Sequence, residues 1–258
     1  MSKSKKRAKT KPQSRKFDVR PDRADFRDKL YLPGLHEVPA RMPLSSWAKN
    51  KVPVLDQGED GACTGFGLAT VANFLLHVRS PRTSVSPRMM YEMAKDYDEW
   101  PGDDYEGSSC KGGVKGWQRH GVCGVQLWPH DAQVKGGELT EDRAADAGRR
   151  PLGSYYRVNV HDLRHLHAAL AEVGVLYASG DVHEGWWEPD EKGVIAHSNV
   201  MAGGHAFAIV GYDEYGFWIQ NSWGPSWGIK GCARLPYASW VRDGYDAWVC
   251  RAGVPVII

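Results

Sequence analysis

Few of the chain's five cysteines and ten histidines stand where their chemistry could be used. Cys63, in "GACTGF", heads an apolar stretch in which Leu68, Val71, Ala72, Leu75 and Leu76 recur at helical spacing. A helix N-terminus and a nearby imidazolium both stabilise a thiolate, so a cysteine here could be a nucleophile. It could also be core packing, half of a disulfide or a metal ligand. His205 follows Gly203 and Gly204 and opens the apolar run "AFAIVGYD". Asn221 ends the run "GFWIQN", with Trp223 two residues on. An asparagine in a buried strand is costly unless hydrogen-bonded. If these two strands pair, its amide oxygen can accept from one ring nitrogen of His205 and leave the other for a thiolate. That is a nucleophile, a base and an orienter. Trp223 could cover the His–Asn bond and exclude water.

The competing clusters are weaker. His161, His165 and His167 in "HDLRHLH" share a helix with an apolar stripe, and no set of metal-ligand spacing follows them, so they predict a polar helix face. No CxxC pair occurs, and five cysteines are too sparse for a disulfide scaffold. Cys232 and Cys250 fall in strand-like runs, which predicts packing roles.

The elements that would position these residues divide the chain. Helices are predicted from Cys63 to before Pro81, in "SPRMMYEMAKDY" with Pro87 at its first position, and in "VKGWQRH" up to Gly121. "DEWPGDDYEGSSCKGG" reads as an acidic, glycine-rich loop. "HDLRHLHAALAEVG" is one further amphipathic helix stopped by Gly174, and the remaining runs are short and strand-like. A helical half, about 56–150, precedes a β-rich half, about 151–258, an α+β arrangement.

With 42% hydrophobic residues the chain can bury a sizeable core, which excludes a wholly disordered protein. Eight of its 33 Lys and Arg, and none of its 31 Asp and Glu, fall in residues 1–16, so the rest is net acidic. That basic tail has no apolar run, so it is neither a signal peptide nor a membrane anchor, and it predicts a disordered, solvated terminus. No stretch reaches the ~18 apolar residues of a membrane span. Without an export signal, the cytoplasm and reduced thiols are the default, with non-classical export left open. Residues 17–45 carry four prolines and little periodicity, an extended lead-in with no core of its own.

"QGEDGAC", "CKGG", "GGHAFAIVGYD" and "WIQNSWGPSWG", in that order, resemble the papain family of cysteine peptidases over roughly residues 44–235. The type resembled is the bacterial one without a long pro-region or signal peptide. The resemblance implies a papain-like fold with the cleft between a helical half and a β-barrel-like half, within a peptidase domain of 46–258. It implies Cys63 as nucleophile, His205 as its imidazolium partner and later general acid, Asn221 as orienter and Gln57 as oxyanion donor. It implicates Gly112 and Gly113 of "CKGG" in binding extended substrate backbone, with Gly204 and Trp223 beside the cleft. It implies hydrolysis of a peptide or protein substrate through a thioester, with no metal or organic cofactor.

Three departures stand out. Asp60 replaces the family's cysteine that bridges to the "CKGG" cysteine, so Cys110 lacks its partner and no disulfide is expected. Thr64 replaces the usual aromatic, which changes one cleft wall. Only about 45 residues precede the domain, too few for the long pro-region. Three alternatives remain: a weak or inactive papain-like scaffold used for protein binding, an acyltransferase or transglutaminase-like enzyme, and nucleic-acid binding through the tail, for which nothing beyond the tail speaks. Phe17, Phe26, Leu30, Tyr31, Leu32 and Leu35 are more large apolar side chains than a solvated linker needs. Residues 17–45 are therefore expected to pack on the body, either as a cleft cover and built-in inhibitor or as a strap behind it.

Overall fold

The computed structural model describes residues 15–77, 84–100, 105–131 and 137–254, so the tail through residue 14 lies outside the described residues. After a short helix α1 (Leu44–Ala48), the helices α2 (Cys63–His77), α3 (Pro87–Asp96), α4 (Cys110–His120) and α5 (Glu141–Ala147) precede the first strand. Residues Cys63 to Asn73 of α2 are all buried, which makes it the central helix rather than a surface one. Ser86 and Ser109 cap α3 and α4, their hydroxyls accepting from the N–H of Met89 and Gly112.

The strands are β1 (Leu152–Arg157), β2 (Leu176–His183), β3 (Met201–Tyr212), β4 (Gly216–Gln220), β5 (Cys232–Pro236) and β6 (Gly244–Ala252). They form one antiparallel sheet in the order β1-β6-β2-β3-β4-β5. Two further helices, α6 (Leu163–Val173) and α7 (Tyr237–Asp243), belong to this half. One core cluster lies between α2, α3, α4 and the sheet, joining Leu68, Val71 and Met89 to Ala206, Ala208 and Trp248. The other joins α6 and α7 to the sheet around Trp186, Phe207, Phe217 and Trp240.

Residues 15–42 contain no helix or long strand. They lie on the body through isolated bridges, Asp18 with Gly204, Leu30 with Arg157 and Met42 with Tyr212. Asp22 is the deepest anchor: its carboxylate accepts from Lys111 N (2.9 Å) and Trp248 Nε1 (2.7 Å), while its own N–H donates to Asp246 (2.8 Å). The expected packing of six apolar side chains is corrected. Tyr31 is buried and Phe17 partly so, whereas Phe26, Leu30, Leu32 and Leu35 are exposed. Residues 32–41 run over the surface, touching α6 through His36 Nε2 and the Ala168 carbonyl (3.2 Å), so most of their side chains meet solvent.

Candidate active site

The site forms where the N-terminus of α2 meets β3. Cys63 is the first residue of α2, and the first intrahelical bond runs from Phe66 N to Ala62 O (3.1 Å). The N–H groups before Phe66 therefore have no partner within the helix. Pairing of β3 with β4 brings His205 and Asn221 together: His205 Nε2 and Asn221 Oδ1 are 2.7 Å apart, with the nitrogen as donor. Nδ1, the other ring nitrogen, is buried and makes no hydrogen bond among the described residues. Cys63 packs in the same buried core cluster as Ala206, the residue after that imidazole. The Trp223 ring lies 5.1 Å from the His205 ring, where it shields the His–Asn bond.

Gln57 is buried beneath the same cluster. Its Oε1 accepts from Ser222 Oγ (2.7 Å) and its Nε2 donates to the Asp60 carbonyl (2.8 Å). One of the amide's two N–H groups thus serves the loop leading into α2. Ser222 also holds the backbone, its carbonyl accepting from Gln57 N (3.0 Å). Nothing in the sequence set this serine apart from other polar loop residues except its place between Asn221 and Trp223.

Residues 15–19 occupy the space in front of these groups. The Phe17 ring meets His205 and Trp223 edge-on, at 5.9 Å each, and Trp187 at 5.3 Å. Val19 N donates to the Gly204 carbonyl (3.2 Å). Arg15 reaches Gly58 O (2.8 Å) and lies over Trp223, and Lys16 pairs with Glu106. The segment passes close against Gly107 on one wall and Gly204 on the other, where an added Cβ would collide with the Asp18 and Val19 carbonyls. The basic tail read as residues 1–16 therefore has its last two residues seated on the body.

The result is a dry site. Burial pushes the Cys63 thiol up to about 12, although the N–H groups of Ala206, Thr64 and Cys63 pull the other way. Burial likewise drives His205 down to about 4 against the pull of Asn221.

Cys63, His205, Asn221, Gln57, Gly204 and Trp223 are thus brought together. Gly112 and Gly113 are not, which corrects the expectation for "CKGG". That stretch is the first turn of α4 rather than a loop, and both glycines are buried. A Cβ on Gly112 would sit 2.5 Å from the Ala94 carbonyl, and one on Gly113 would sit 3.2 Å from Leu68. They permit close packing of helices. Gly107, five residues before Gly112, is the glycine that faces the extended segment. Thr64 is buried too, sharing a hydrogen bond with Ser108 (2.5 Å). Among the histidines of α6 and its approach, His167 stacks on Tyr212 inside the core while His161 is exposed, so the three do not converge. All five cysteines are free and buried.

Residues 39–242 match the papain family of cysteine proteases. The chain belongs to that family. A papain-family protein of Acanthamoeba polyphaga mimivirus, described as peptidase C1-like, is 25% identical over 222 residues, covering 79% of this chain and 71% of its own. Vignain of Ricinus communis is 24% identical over 215 residues, and the match spans only 56% of its length. Xylellain, a cysteine protease of Xylella fastidiosa, shares the papain-like fold with a TM-score of 0.79 at 26% identity, over 94% of this chain and 98% of its own. The helices and antiparallel sheet described above are therefore a papain-like α+β fold, and the protein is a cysteine peptidase of the hydrolase class. Among the described residues, no helix is long and apolar enough to cross a membrane.

Proposed function

We propose that the protein hydrolyses peptide bonds with Cys63 as nucleophile and that its own N-terminal segment holds it in check. The observation that carries the first part is the His205–Asn221 hydrogen bond, which fixes the ring and leaves Nδ1 without a hydrogen bond, one residue before the Ala206 that packs in the same core cluster as Cys63. With the cleft open, Cys63 gives its proton to Nδ1, and the thiolate attacks the substrate carbonyl carbon. The second N–H of Gln57 Nε2 and the N–H of Cys63, which has no partner within the helix, then receive the oxyanion. His205 returns its proton to the leaving amine as the C–N bond breaks, leaving a thioester. Water, deprotonated at the same nitrogen, cleaves the thioester and frees the acid. Asn221 keeps the ring in one orientation throughout, which is the role of a third group in such sets.

Phe17, Asp18 and Val19 lie where a substrate backbone would lie, between Gly107 and Gly204. They exclude substrate, and they also exclude the water that a thiolate–imidazolium pair needs for solvation. Papain-family relatives act on proteins or peptides in this way, and a peptide or protein substrate is the corresponding reading here. Cys63→Ala should abolish turnover of small peptide amides in a chain whose circular dichroism is unchanged, because the substitution removes one sulfur from a helix start. An active-site-directed epoxide peptide should label wild-type Cys63 alone. Turnover retained by Cys63→Ala would refute the assignment, and a Phe17→Ala chain that is both unlabelled and inactive would favour a binding scaffold.

A further inference from the structure

Gln57 owes its orientation to groups beyond Ser222. Its Nε2 is aimed by the Asp60 carbonyl, and Asp60 lies in a surface turn, Gln57 to Gly61, that begins with Gly58 at φ 62°. Such a turn is soft unless something outside it takes hold. Here Asp60 Oδ2 is gripped by Arg88 Nη1 at 3.0 Å, and the Arg88 side chain is only 3% exposed. The other arm of that guanidinium reaches Glu92 at 2.7 Å, and Glu92 in turn pairs with Lys95 at 2.6 Å. Two cations and two anions are thereby balanced along α3, whose start is fixed by the Ser86 cap and Pro87. Burying such a chain of charges contributes little net stability compared with apolar packing, so stability alone is a poor reason for it. What the chain does accomplish is to tie the turn before Cys63 to a separate, rigid helix.

We infer that Arg88 is a positioning residue for the oxyanion donor: through Asp60 it fixes the carbonyl that aims Gln57 Nε2. This rests on the reading of Gln57 as that donor. Arg88 itself stays behind the turn and acts through the loop. Asp60 stands where the family resemblance puts one cysteine of a disulfide, so this turn is tethered through charge to α3 instead.

The test measures kcat and KM on a small peptide amide, in the full chain carrying Phe17→Ala so that the cleft is open, for Gln57→Ala, Arg88→Met, Asp60→Ala and the Gln57→Ala/Arg88→Met double variant. Gln57→Ala is expected to lower kcat roughly 100-fold, as loss of an oxyanion donor does. Arg88→Met is expected to lower kcat about tenfold with KM within about twofold, and to cost less than about twofold once Gln57 is gone, since residues in one network do not add. Arg88→Lys, which can still reach Asp60, should recover most of the loss. Asp60→Ala keeps the backbone carbonyl and frees it from Arg88, so it should reproduce the kcat loss even if Arg88→Met folds poorly. An unchanged kcat in folded Asp60→Ala or Arg88→Met, or an equal Arg88 effect with and without Gln57, overturns the inference. A Gln57→Ala chain with wild-type kcat overturns the oxyanion reading instead.

Discussion

At the scale of single residues, burial dominates the chemistry of Cys63 and His205. A thiol held up to about 12 contributes almost no thiolate at neutral pH, and the thiolate fraction rises about tenfold per pH unit below that value. Alkylation of Cys63 by iodoacetamide in the full chain should therefore climb steadily with pH through 10, without levelling. Phe17→Ala removes the ring that faces His205 and Trp223, so it should speed labelling at pH 7 by about tenfold or more and flatten the profile, because a hydrated thiolate–imidazolium pair forms at lower pH. Identical profiles for the two chains, read by peptide mapping, would show that Phe17 does not control hydration of the site. Cys63, His205, Asn221 and Trp223 stand out in the sequence because each combines an unusual residue type with the edge of an apolar run, whereas Gln57 is singled out only by the family resemblance. Ser222, Gly107 and Trp187 were not, because their parts depend on what faces them across the chain.

At the scale of elements, "CKGG" shows why a motif needs its surroundings. Its glycines suggested a substrate loop, but the capping serine Ser109 starts a helix one residue before Cys110. The acidic stretch ahead of it masked that signal. Helix α4 then needs glycine for a steric reason, since α3 passes close against it. Gly112→Ala is accordingly expected to destabilise the fold by roughly 1–3 kcal/mol in urea unfolding, as overpacking does, with KM unchanged. A raised KM without loss of stability would return Gly112 to substrate binding. The helices α2, α3 and α6 and strands β2 to β6 follow from periodicity, caps and breakers. β1 does not, because "LGSYYR" is mostly half-exposed and shows little alternation.

At the scale of the whole molecule, the N-terminal segment has two parts with separate consequences. Residues 15–19 lie in the cleft, whereas Asp22 and Tyr31 fasten the segment to Lys111, Trp248, Asp246 and Glu172. A chain beginning at Arg20 should gain kcat/KM on small peptides with little change in Tm. A chain beginning at Pro43 should gain activity too but lose roughly 3 kcal/mol or more, since several buried hydrogen bonds at about 1 kcal/mol each go with it and leave Trp248 Nε1 and Lys111 N without the Asp22 carboxyl. Unchanged kcat/KM in the chain beginning at Arg20 would mean that the cleft segment does not restrain the enzyme. On the proposed reading cover and cleft belong to one chain, so closure is unimolecular. Diluting the protein leaves it as closed as before, and a short tether presents its own segment at an effective concentration on the order of millimolar. A substrate entering the intact protein thus competes against a ligand that never diffuses away. A free peptide copying residues 15–22 would have to be supplied near that same concentration to silence the chain beginning at Arg20.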